Sequence, residues 1–460
     1  MTSGSAPLLK VHLNPPDAVR KITDRLEKAG YATWTVGGAV RDALLGHAGL
    51  AETKASDWDL ATRARPEEVR RIFKRTVPIG IEHGTVGVLM DGVMYEVTTF
   101  RRDIETDGRH AVVQFADHIE DDLSRRDFTF NAIAWHAVTE DVLDPFHGLD
   151  DLRDGVLRTV GDPAQRFAED YLRVLRGLRF AGHFVMTIEP HTLRAIEAAT
   201  PMLTRLSAER IRDELWKVFT KTQHASAALR LYQSTGTLRV LYPELDTLVG
   251  LDQGAGHTLD AWTESLAAVD ALPKSRPLLR MAALLHKIGM PSARTRDLRG
   301  GYRFTGHEID GARKAEALML RLKASNADTA RVTELVRKQS DLFPPDAPPA
   351  GIRRWLRHVP PALVYDLFRL RFAMWRANPV PGGKEDLCER WRKVHAVLLE
   401  HPVIETGGLA INGADLKQLG FTPGPRFGEI LRDLLERVIE HPDLNTRETL
   451  LDIVETEYTP

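Results

Sequence analysis

The feature that most limits the fold of this chain is an abrupt change in its hydrophobic pattern near Pro163. From Tyr31 to about Arg158, short β-rich runs alternate with turn signals, and the clearest is TVGVLM-DG-VMYEVTTF (Thr85 to Phe100). An Asp-Gly pair between two alternating runs predicts a β-hairpin. Beyond Pro163, apolar residues recur every three or four positions, which is typical of amphipathic helices. The sequence therefore predicts an α/β head, a mixed sheet with helices, followed by an all-helical remainder.

Length and composition indicate more than one domain. The chain has 460 residues, of which 43% are hydrophobic, and this apolar material is enough for about two to four cores. A proline cluster, DLFPPDAPPA (Asp341 to Ala350), cannot continue a helix and marks one boundary. We predict a head at 1–160, a helical neck at 161–225, a helical body at 226–345 and a helical tail at 346–460.

Charge and cysteine content indicate how this protein could bind nucleic acid and which compartment it occupies. The 62 Lys and Arg residues nearly cancel the 64 Asp and Glu residues, so any affinity for nucleic acid must come from local patches. The single cysteine, Cys388, cannot form an internal disulfide and is typical of a reducing compartment. The sequence contains no signal-peptide core and no run of about 18 apolar residues. We therefore predict a cytoplasmic protein that does not enter a membrane.

A glycine turn in the head is a candidate phosphate site. In VGGAVRDALLG (Val36 to Gly46), two glycines follow the apparent strand TWTV and precede a helix-like run. Backbone N–H groups and a helix N-terminus then face one point, which suits an anion, and Arg41 can add a forked contact. A turn of this kind without a ligand is the commoner reading when the motif stands alone.

Carboxylates in the head are candidate metal ligands. Asp57 and Asp59 in SDWDLAT lie two positions apart in a probable strand and so project from one face. Two carboxylates this close repel each other unless a cation such as Mg²⁺ lies between them. Two exposed aspartates at a strand end are the alternative. Glu96, in the second arm of the hairpin, is a third candidate, because an inward-facing charge needs a metal or an arginine.

A third polar segment, SRRDFTFNAIAW (Ser124 to Trp135), places three charges before an apolar, helix-like stretch. Arg126 can meet a phosphate, while Asp127 and Asn131 can bond the hydroxyls of a ribose. The same residues are equally compatible with the capped start of a helix.

Four motifs occur together in one order: GGAVRD (Gly37 to Asp42), DWD (Asp57 to Asp59), RRDFTFNA (Arg125 to Ala132) and EDYLR (Glu169 to Arg173). In order and spacing they resemble motifs A, B and D of the class II tRNA nucleotidyltransferases of the polymerase β superfamily. That family includes CCA-adding enzymes, enzymes that add only CC or only A, and bacterial poly(A) polymerases.

The resemblance implies a Mg²⁺-dependent enzyme that extends the 3′ end of tRNA with CTP and ATP and uses no nucleic acid template. Asp57 and Asp59 would hold two Mg²⁺ ions, the two-metal form of phosphoryl transfer. The remaining contacts would come from Gly37, Gly38 and Arg41 to the triphosphate, and from Arg126, Asp127 and Asn131 to the ribose.

Motif D would select the base. Asp170 and Arg173 are three residues apart, so we expect them on one face of a helix, where they offer an acceptor and a forked donor. Such a pair matches the Watson–Crick edges of cytosine and adenine but not those of uracil and guanine. Glu169 would orient Arg173, and Arg176 would extend the same face. An ordinary surface ion pair is the alternative for this motif by itself.

The segment after the hairpin bears on which nucleotides are added. Its residues Asp103, Asp107, Gly108 and Arg109 resemble the flexible loop of family members that add the final A, which argues against an enzyme that adds only CC. Full CCA addition and A addition beside a separate CC-adding enzyme both stay open. The GRRF-type stretch of bacterial poly(A) polymerases is missing from this sequence, and a catalytically silent RNA-binding protein conflicts with the aspartate pair.

The middle of the chain resembles the HD phosphohydrolase domain found in many members of this family. The residues that carry the resemblance are His257, His286 and His307. Lys287 stands where the metal-binding aspartate of the HD dipeptide is required, and a protonated lysine cannot coordinate a cation. We therefore predict a structural body without phosphohydrolase activity.

The last segment, Gly408 to Leu450, resembles the C-terminal part of bacterial family members. Asn412 and Arg426 precede predicted helices, where N–H groups and a cation can meet RNA phosphates. Shape recognition of the acceptor stem and T arm of tRNA suits such contacts, because an A-form helix hides its base edges. Simple helix capping explains the same residues equally well.

Overall fold

The computed structural model describes residues 9–49, 57–106, 111–296 and 301–459, and it divides into two compact units, Met1–Pro243 and Glu244–Pro460. Among the described residues, no helix is long and apolar enough to cross a membrane. The domain boundaries predicted at 160, 225 and 345 stay predictions.

The centre of the first unit is an eight-stranded sheet in the order β1-β10-β9-β2-β3-β6-β5-β4. All neighbours in it are antiparallel except β3 and β6, so the sheet is mixed, as predicted. A hairpin of β7 with β8 and a short parallel pair of β11 with β12 lie outside it. The strands are β1 (Leu9–Lys10), β2 (Thr33–Val36), β3 (Asp59–Thr62), β4 (Thr76–Gly80), β5 (Thr85–Met90), β6 (Val93–Thr99), β7 (Arg101–Thr106), β8 (Ala111–Phe115), β9 (Ala134–Trp135), β10 (Asp141–Leu143), β11 (Val156–Leu157) and β12 (Thr187–Ile188).

The predicted hairpin is confirmed. Strands β5 and β6 pair in the register Met90↔Val93, and the turn residues Asp91 and Gly92 both have positive φ, 52° and 80°. Asp and Gly tolerate the left-handed region that a two-residue turn of this kind requires at both positions, so the local sequence fixes the pairing of the two strands.

Helices cover the sheet, and the rest of the first unit is mostly helical. They are α1 (Asp17–Lys28), α2 (Gly38–His47), α3 (Pro66–Ile72), α4 (Ile119–Ser124), α5 (Gly148–Asp154), α6 (Pro163–Glu169), α7 (Leu172–Phe184), α8 (Pro190–Ala199), α9 (Ala208–Lys221), α10 (Ala225–Ser234) and α11 (Thr237–Leu241). Strand β12 is an exception to the predicted all-helical remainder, because it adds to β11. In α9, residues Ile211, Leu215, Val218 and Phe219 are buried, the three- and four-residue spacing read from the sequence.

The helix-like interpretation of the stretch after Arg126 is wrong. Thr129–Asn131 forms a single 3₁₀ turn, and Ala134–Trp135 is strand β9, which pairs with both β2 and β10. Every residue from Phe128 to Ala137 is buried, so neither face of the run is exposed to solvent. A short, continuously apolar run does not distinguish a buried strand from a helix.

The second unit is helical, as predicted, apart from a small hairpin of β13 (Thr295–Arg296) with β14 (Tyr302–Arg303). Its helices are α12 (Pro243–Asp246), α13 (Ala261–Asp270), α14 (Pro277–Leu285), α15 (Met290–Ala293), α16 (His307–Arg321), α17 (Asn326–Lys338), α18 (Pro349–His358), α19 (Pro361–Ala377), α20 (Gly383–Leu399), α21 (Gly413–Gln418), α22 (Pro425–Glu440) and α23 (Arg447–Glu457). The proline cluster separates α17 from α18, where we expected helix to stop.

Candidate active site

The glycine turn lies between β2 and α2. Gly37 has φ 82° and ψ −146°, and a Cβ atom there would lie 3.3 Å from Arg126 Nη1 and 3.6 Å from Asp59 Oδ2. Glycine therefore serves two purposes at this position: it adopts the left-handed backbone, and it lets a carboxylate and a guanidinium approach the turn. The N-terminus of α2 begins at Gly38, directly beside both groups.

The predicted carboxylates meet at the end of β3. Asp59 is the first residue of that strand and is half-buried, whereas Asp57 precedes the strand and is exposed. Burial raises the pKa of Asp59 to about 6, and the negative charges of Glu96 and Asp57 add to the effect, while Arg126 opposes it. Three acidic side chains thus repel one another at this point, which is the electrostatic condition that a divalent cation relieves.

Glu96 differs from the sequence-based expectation. It lies on β6, the parallel neighbour of β3, but its side chain is exposed, so it is not an inward-facing charge that needs a buried partner. Its charge nevertheless affects the pKa of Asp59 more than that of Asp57 does. The parallel pairing of Leu60 with Val97 explains the effect of Glu96, because it places Glu96 beside Asp59 on neighbouring strands.

Motif B forms a buried network. Asp127 accepts hydrogen bonds from Asn131 Nδ2 at 2.9 Å and from Arg176 Nε at 2.7 Å, and Asn131 Oδ1 accepts one from Arg41 Nη1 at 2.7 Å. Burial alone would raise the pKa of Asp127, but Arg176 and these hydrogen bonds hold it below its usual range. Asp127 and Asn131 thus join two arginines of the site, in addition to any contact with ribose.

Two partners in this network were missed by sequence reasoning. Asp122, 1% exposed, accepts hydrogen bonds from Arg125 at 2.8 Å and from Arg126 at 3.1 Å and so fixes both cations. The Arg41 guanidinium lies 5.1 Å from the ring centre of Phe180 and 4.9 Å from that of Phe184. Nothing local in the sequence marks the aromatic contacts of Arg41, since they join positions as far apart as 41 and 184, whereas Asp122 lies only three and four residues from its arginines.

Motif D is not one continuous helix, so the reason we gave for Asp170 and Arg173 sharing a face is wrong. Helix α6 ends at Glu169, and Asp170 is extended (φ −157°, ψ 106°) and accepts a hydrogen bond from Leu172 N at 3.0 Å, at the start of α7. Its other oxygen pairs with Arg210 Nη2 at 2.7 Å. An aspartate whose carboxylate accepts a hydrogen bond from the backbone N–H two residues later favours the start of a new helix over continuation of the previous one.

Arg173 is nevertheless oriented as predicted. Glu169 Oε2 accepts hydrogen bonds from Arg173 Nη1 at 2.5 Å and from Arg166 Nη1 at 2.9 Å, and Arg173 Nη2 donates to the carbonyl of Arg125 at 3.1 Å. These contacts leave one edge of the guanidinium toward a cavity.

That cavity, with a volume of about 540 Å³, brings the predicted site residues together. Its walls include the glycine turn, one of the two candidate metal-ligand carboxylates, motif B and motif D. The predicted residues that line it are Gly37, Gly38, Arg41, Asp59, Arg126, Asp127, Asn131, Asp170, Arg173 and Arg176. Glu169 acts on it through Arg173, and Asp57 lines a smaller cavity of about 260 Å³ that also contains Asp59.

The predicted flexible loop is described only in part. Asp107, Gly108 and Arg109 lie outside the described residues. Asp103 lies in β7, where its backbone pairs with Val113 of β8.

In the second unit, Lys287 occupies the centre of the HD-like cluster. Its ammonium forms an ion pair with Glu264 and donates to Gln253 Oε1, and Glu264 Oε2 is also 2.7 Å from His257 Nδ1. His286 is 1% exposed, and burial together with Lys287 lowers its pKa to about 3, so it is neutral. His307 Nδ1 bonds the carbonyl of Phe304 at 2.8 Å.

Comparisons with known proteins identify the family of this chain. Residues 33–158 match the poly A polymerase head domain, 185–248 match the RNA- and SrmB-binding region of polymerase A, and 387–454 match tRNA nucleotidyltransferase domain 2. The CCA-adding enzyme of Limosilactobacillus fermentum is 33% identical over 95% of both chains, and that of Bacillus licheniformis is 38% identical over 62% of this chain and 67% of the relative.

Solved structures give the same result. The CCA-adding enzyme of Bacillus stearothermophilus in complex with CTP matches with a TM-score of 0.72 and 28% identity, over 96% of this chain and 98% of that one. The Thermotoga maritima enzyme complexed with tRNA shares the fold at 20% identity, with a TM-score of 0.56. Fold and site together define a nucleotidyltransferase. Within that class, the chain belongs to the CCA-adding enzyme family.

Proposed function

We propose that this enzyme adds CCA, or its terminal A, to the 3′ end of tRNA from CTP and ATP without a nucleic acid template. The observation that carries the proposal is the 540 Å³ cavity, which places a glycine turn, Asp59 and the pair Asp170 and Arg173 around one space. The head (1–160) would supply the chemistry and the neck (161–225) the choice of base.

The acidic cluster fits Mg²⁺. Among the described residues, no three His, Cys, Asp or Glu side chains gather into a complete metal site. Mg²⁺ does not require one, because it usually binds one or two carboxylates together with water and substrate phosphates. Asp57 and Asp59 would hold the ions, and the raised pKa of Asp59 shows that its negative charge has too little compensation from the protein alone. Bound Mg²⁺ would activate the RNA 3′-hydroxyl and neutralise the leaving pyrophosphate.

The triphosphate would lie against the glycine turn. Gly37 and Gly38 present N–H groups at the start of α2, and Arg126 Nη1 lies close to the position that a Cβ of Gly37 would occupy. Arg41 is 8% exposed and already bonds Asn131, so we assign it to the wall of this subsite together with a charge contribution to the phosphates. Asp127 and Asn131 would meet the ribose from the same network.

Base selection would depend on Asp170 and Arg173. The Asp170 carboxylate accepts from the exocyclic amino group that cytosine and adenine share, and Arg173 donates to the adjacent ring nitrogen. Uracil and guanine present the opposite pattern at these positions, which leaves buried groups unpaired. Glu169 and Arg210 hold the two side chains in place, each by an ion pair.

The tRNA would be held mainly through its backbone and shape. We assign the body (226–345) and tail (346–460) to the acceptor stem and T arm, with Asn412 and Arg426 as phosphate contacts. Asn412 caps α21 through its side-chain oxygen, 2.8 Å from Ala414 N, and Arg426 lies at the exposed start of α22. The cytoplasm is the compartment in which we place this reaction.

The test uses two tRNA transcripts, one ending at the discriminator base and one ending in CC, each with CTP or ATP alone and with both. We expect CTP incorporation on the first transcript and one A on the second. Incorporation of ATP only, and only on the second transcript, would identify an A-adding enzyme that works with a separate CC-adding enzyme. Long A tails would identify a poly(A) polymerase, and no incorporation at all would refute the proposal.

A further inference from the structure

Two cavities meet at Asp59. The larger one contains the glycine turn and the base-selecting pair, and the smaller one, of about 260 Å³, contains Asp57. Gly38, Arg41 and Phe180 line both cavities and so form the wall between them. Asp59, one of the two carboxylates that would hold the metal ions, therefore lies at the junction of the two cavities, and Asp57 lies in the smaller one.

Phosphoryl transfer needs two such spaces. The attacking hydroxyl must approach the α-phosphorus roughly in line with the departing pyrophosphate, so the RNA end and the nucleotide lie on opposite sides of the reacting centre. If the nucleotide occupies the larger cavity, the smaller cavity is the place for the terminal residue of the RNA. This step rests on the proposed function.

Among the Arg and Lys side chains that line the smaller cavity, Lys221 differs from Arg41 and Arg179. Arg41 pairs with Asp42 at 2.7 Å, and Arg179 pairs with Glu214 at 2.7 Å, so both guanidinium groups have carboxylate partners. Lys221 lines the same cavity as the exposed last residue of α9. Within the described ranges, it has no carboxylate within ion-pair distance. Asp57 and Asp59 line the same cavity without pairing with this ammonium, and an exposed ammonium without an ion-pair partner in the described ranges matches an anionic substrate group.

We propose that Lys221 is a positioning residue that binds the phosphate of the 3′-terminal nucleotide of the RNA substrate. Its contact would fix the last sugar so that the 3′-hydroxyl faces Asp57 and Asp59. Because the phosphodiester is present in every RNA, this contact would not depend on which base ends the chain.

The test compares Lys221→Ala with two matched variants in steady-state assays of A addition to tRNA ending in CC. Lys221→Arg keeps the charge, and Arg230→Ala removes an exposed cation of the next helix that lines neither cavity. We expect Lys221→Ala to raise KM for tRNA about tenfold, the usual effect of losing one charged hydrogen bond, with KM for ATP unchanged. Lys221→Arg and Arg230→Ala should stay near the wild type.

A chemical change in the RNA tests the contact directly. A tRNA whose last phosphodiester is a neutral methylphosphonate should raise KM for the wild-type enzyme about as much as Lys221→Ala does, and should add little in that variant. A KM effect confined to ATP, or effects that multiply fully in the double change, would overturn the proposal. An inactive wild-type enzyme would instead refute the proposed function, and melting curves identify a variant that fails to fold.

Discussion

Two clusters of charged side chains in this protein show opposite electrostatic balance. Around Asp59 in the first unit, burial raises the carboxyl pKa to about 6, and the negative charges of Glu96 and Asp57 add to the effect. Around Glu264 in the second unit, burial opposes ionisation, but the Lys287 ammonium and its hydrogen bonds lower the carboxylate pKa. Under the proposed function a cation from solution would balance the first cluster, whereas the second already contains the Lys287 ammonium.

The difference suggests how a charge cluster that needs a ligand can be distinguished from one that does not. A buried charge is tolerated when it is paired and hydrogen-bonded within the protein. Lys287, His257 and Gln253 all contact Glu264, so this cluster needs no ligand to be stable. We therefore expect substitutions in the first cluster to change activity and substitutions in the second to change stability.

The largest expected effect is the loss of activity in Asp59→Ala. We expect nucleotide incorporation to fall at least about a thousandfold, because metal ions contribute several kcal/mol to charge stabilisation in the transition state. Binding of tRNA, measured by filter retention, should change less than about twofold. Asp24→Ala, which removes an exposed aspartate paired with Lys28, is the control and should behave as the wild type. Substantial residual turnover in Asp59→Ala would contradict the metal role.

Lys287→Ala should lower stability and leave activity unchanged, because it leaves Glu264 buried without its cation. Removing one partner of a buried pair costs about 3–5 kcal/mol, and denaturant unfolding of the second unit measures it. The exposed pair of Lys314 with Asp310 provides the control: Lys314→Ala should cost about 1 kcal/mol or less. Incorporation per folded molecule should not change in either variant.

A double variant sharpens this prediction. Lys287→Met together with Glu264→Gln removes both charges, so much of the lost stability should return, since a neutral pair leaves no uncompensated ion. If Lys287→Ala instead abolished activity in fully folded protein, the second cluster would have a functional role and the comparison would fail.

Local signals made most of the framework predictable. The Asp-Gly turn fixed the β5–β6 hairpin, and the glycine pair after TWTV marked both the end of β2 and the start of α2. These features depend on a few adjacent residues, whose backbone preferences decide the outcome. The gathering of Gly37, Asp59 and Asp170 in one cavity was predictable only from the resemblance.

What the sequence did not reveal depends on contacts between distant positions. The strand β9 is extended because it has hydrogen-bonding neighbours on both sides, which its apolar run of residues does not encode. The partners Phe180 and Arg210 are ordinary residues until the fold brings them to the site. Asp170 was placed inside a helix because a three-residue spacing does not show whether a helix is interrupted.

Arg173→Ala should reduce the selectivity for CTP and ATP over UTP and GTP by about ten- to a hundredfold. One or two charged hydrogen bonds to the base would be lost, so UTP and GTP should compete better with CTP and ATP. Glu169→Gln should give a smaller loss, because it weakens the ion pair that holds Arg173. Arg194→Ala, an exposed arginine of α8, is the control. Unchanged selectivity in single-turnover competition assays would refute the role of Arg173.

The smallest expected effect is a pH dependence that distinguishes the two carboxylate clusters. Asp59 must lose its proton to bind a cation, so with a pKa of about 6 the Mg²⁺ concentration for half-maximal activity should rise about tenfold between pH 7 and pH 5. Glu96→Gln removes a charge that raises this pKa, so the rise should begin at lower pH. An Mg²⁺ requirement that does not change over this range would contradict the assignment of Asp59.

Without Mg²⁺, Asp59 and Glu264 should change the free energy of unfolding in opposite directions as the pH rises. The folded protein holds the Asp59 proton more tightly than the unfolded chain, whose value is 3.8, so this residue lowers the free energy of unfolding as pH rises from about 4 to about 6. Glu264 has a lowered pKa and acts in reverse, because its contribution is present above 4.5 and is lost as the pH falls. Denaturant unfolding at several pH values should therefore show Asp59→Asn gaining stability over the wild type as the pH rises from about 4 to about 6. Glu264→Gln should lose stability relative to the wild type as the pH rises toward 4.5, and the difference should level off above that pH.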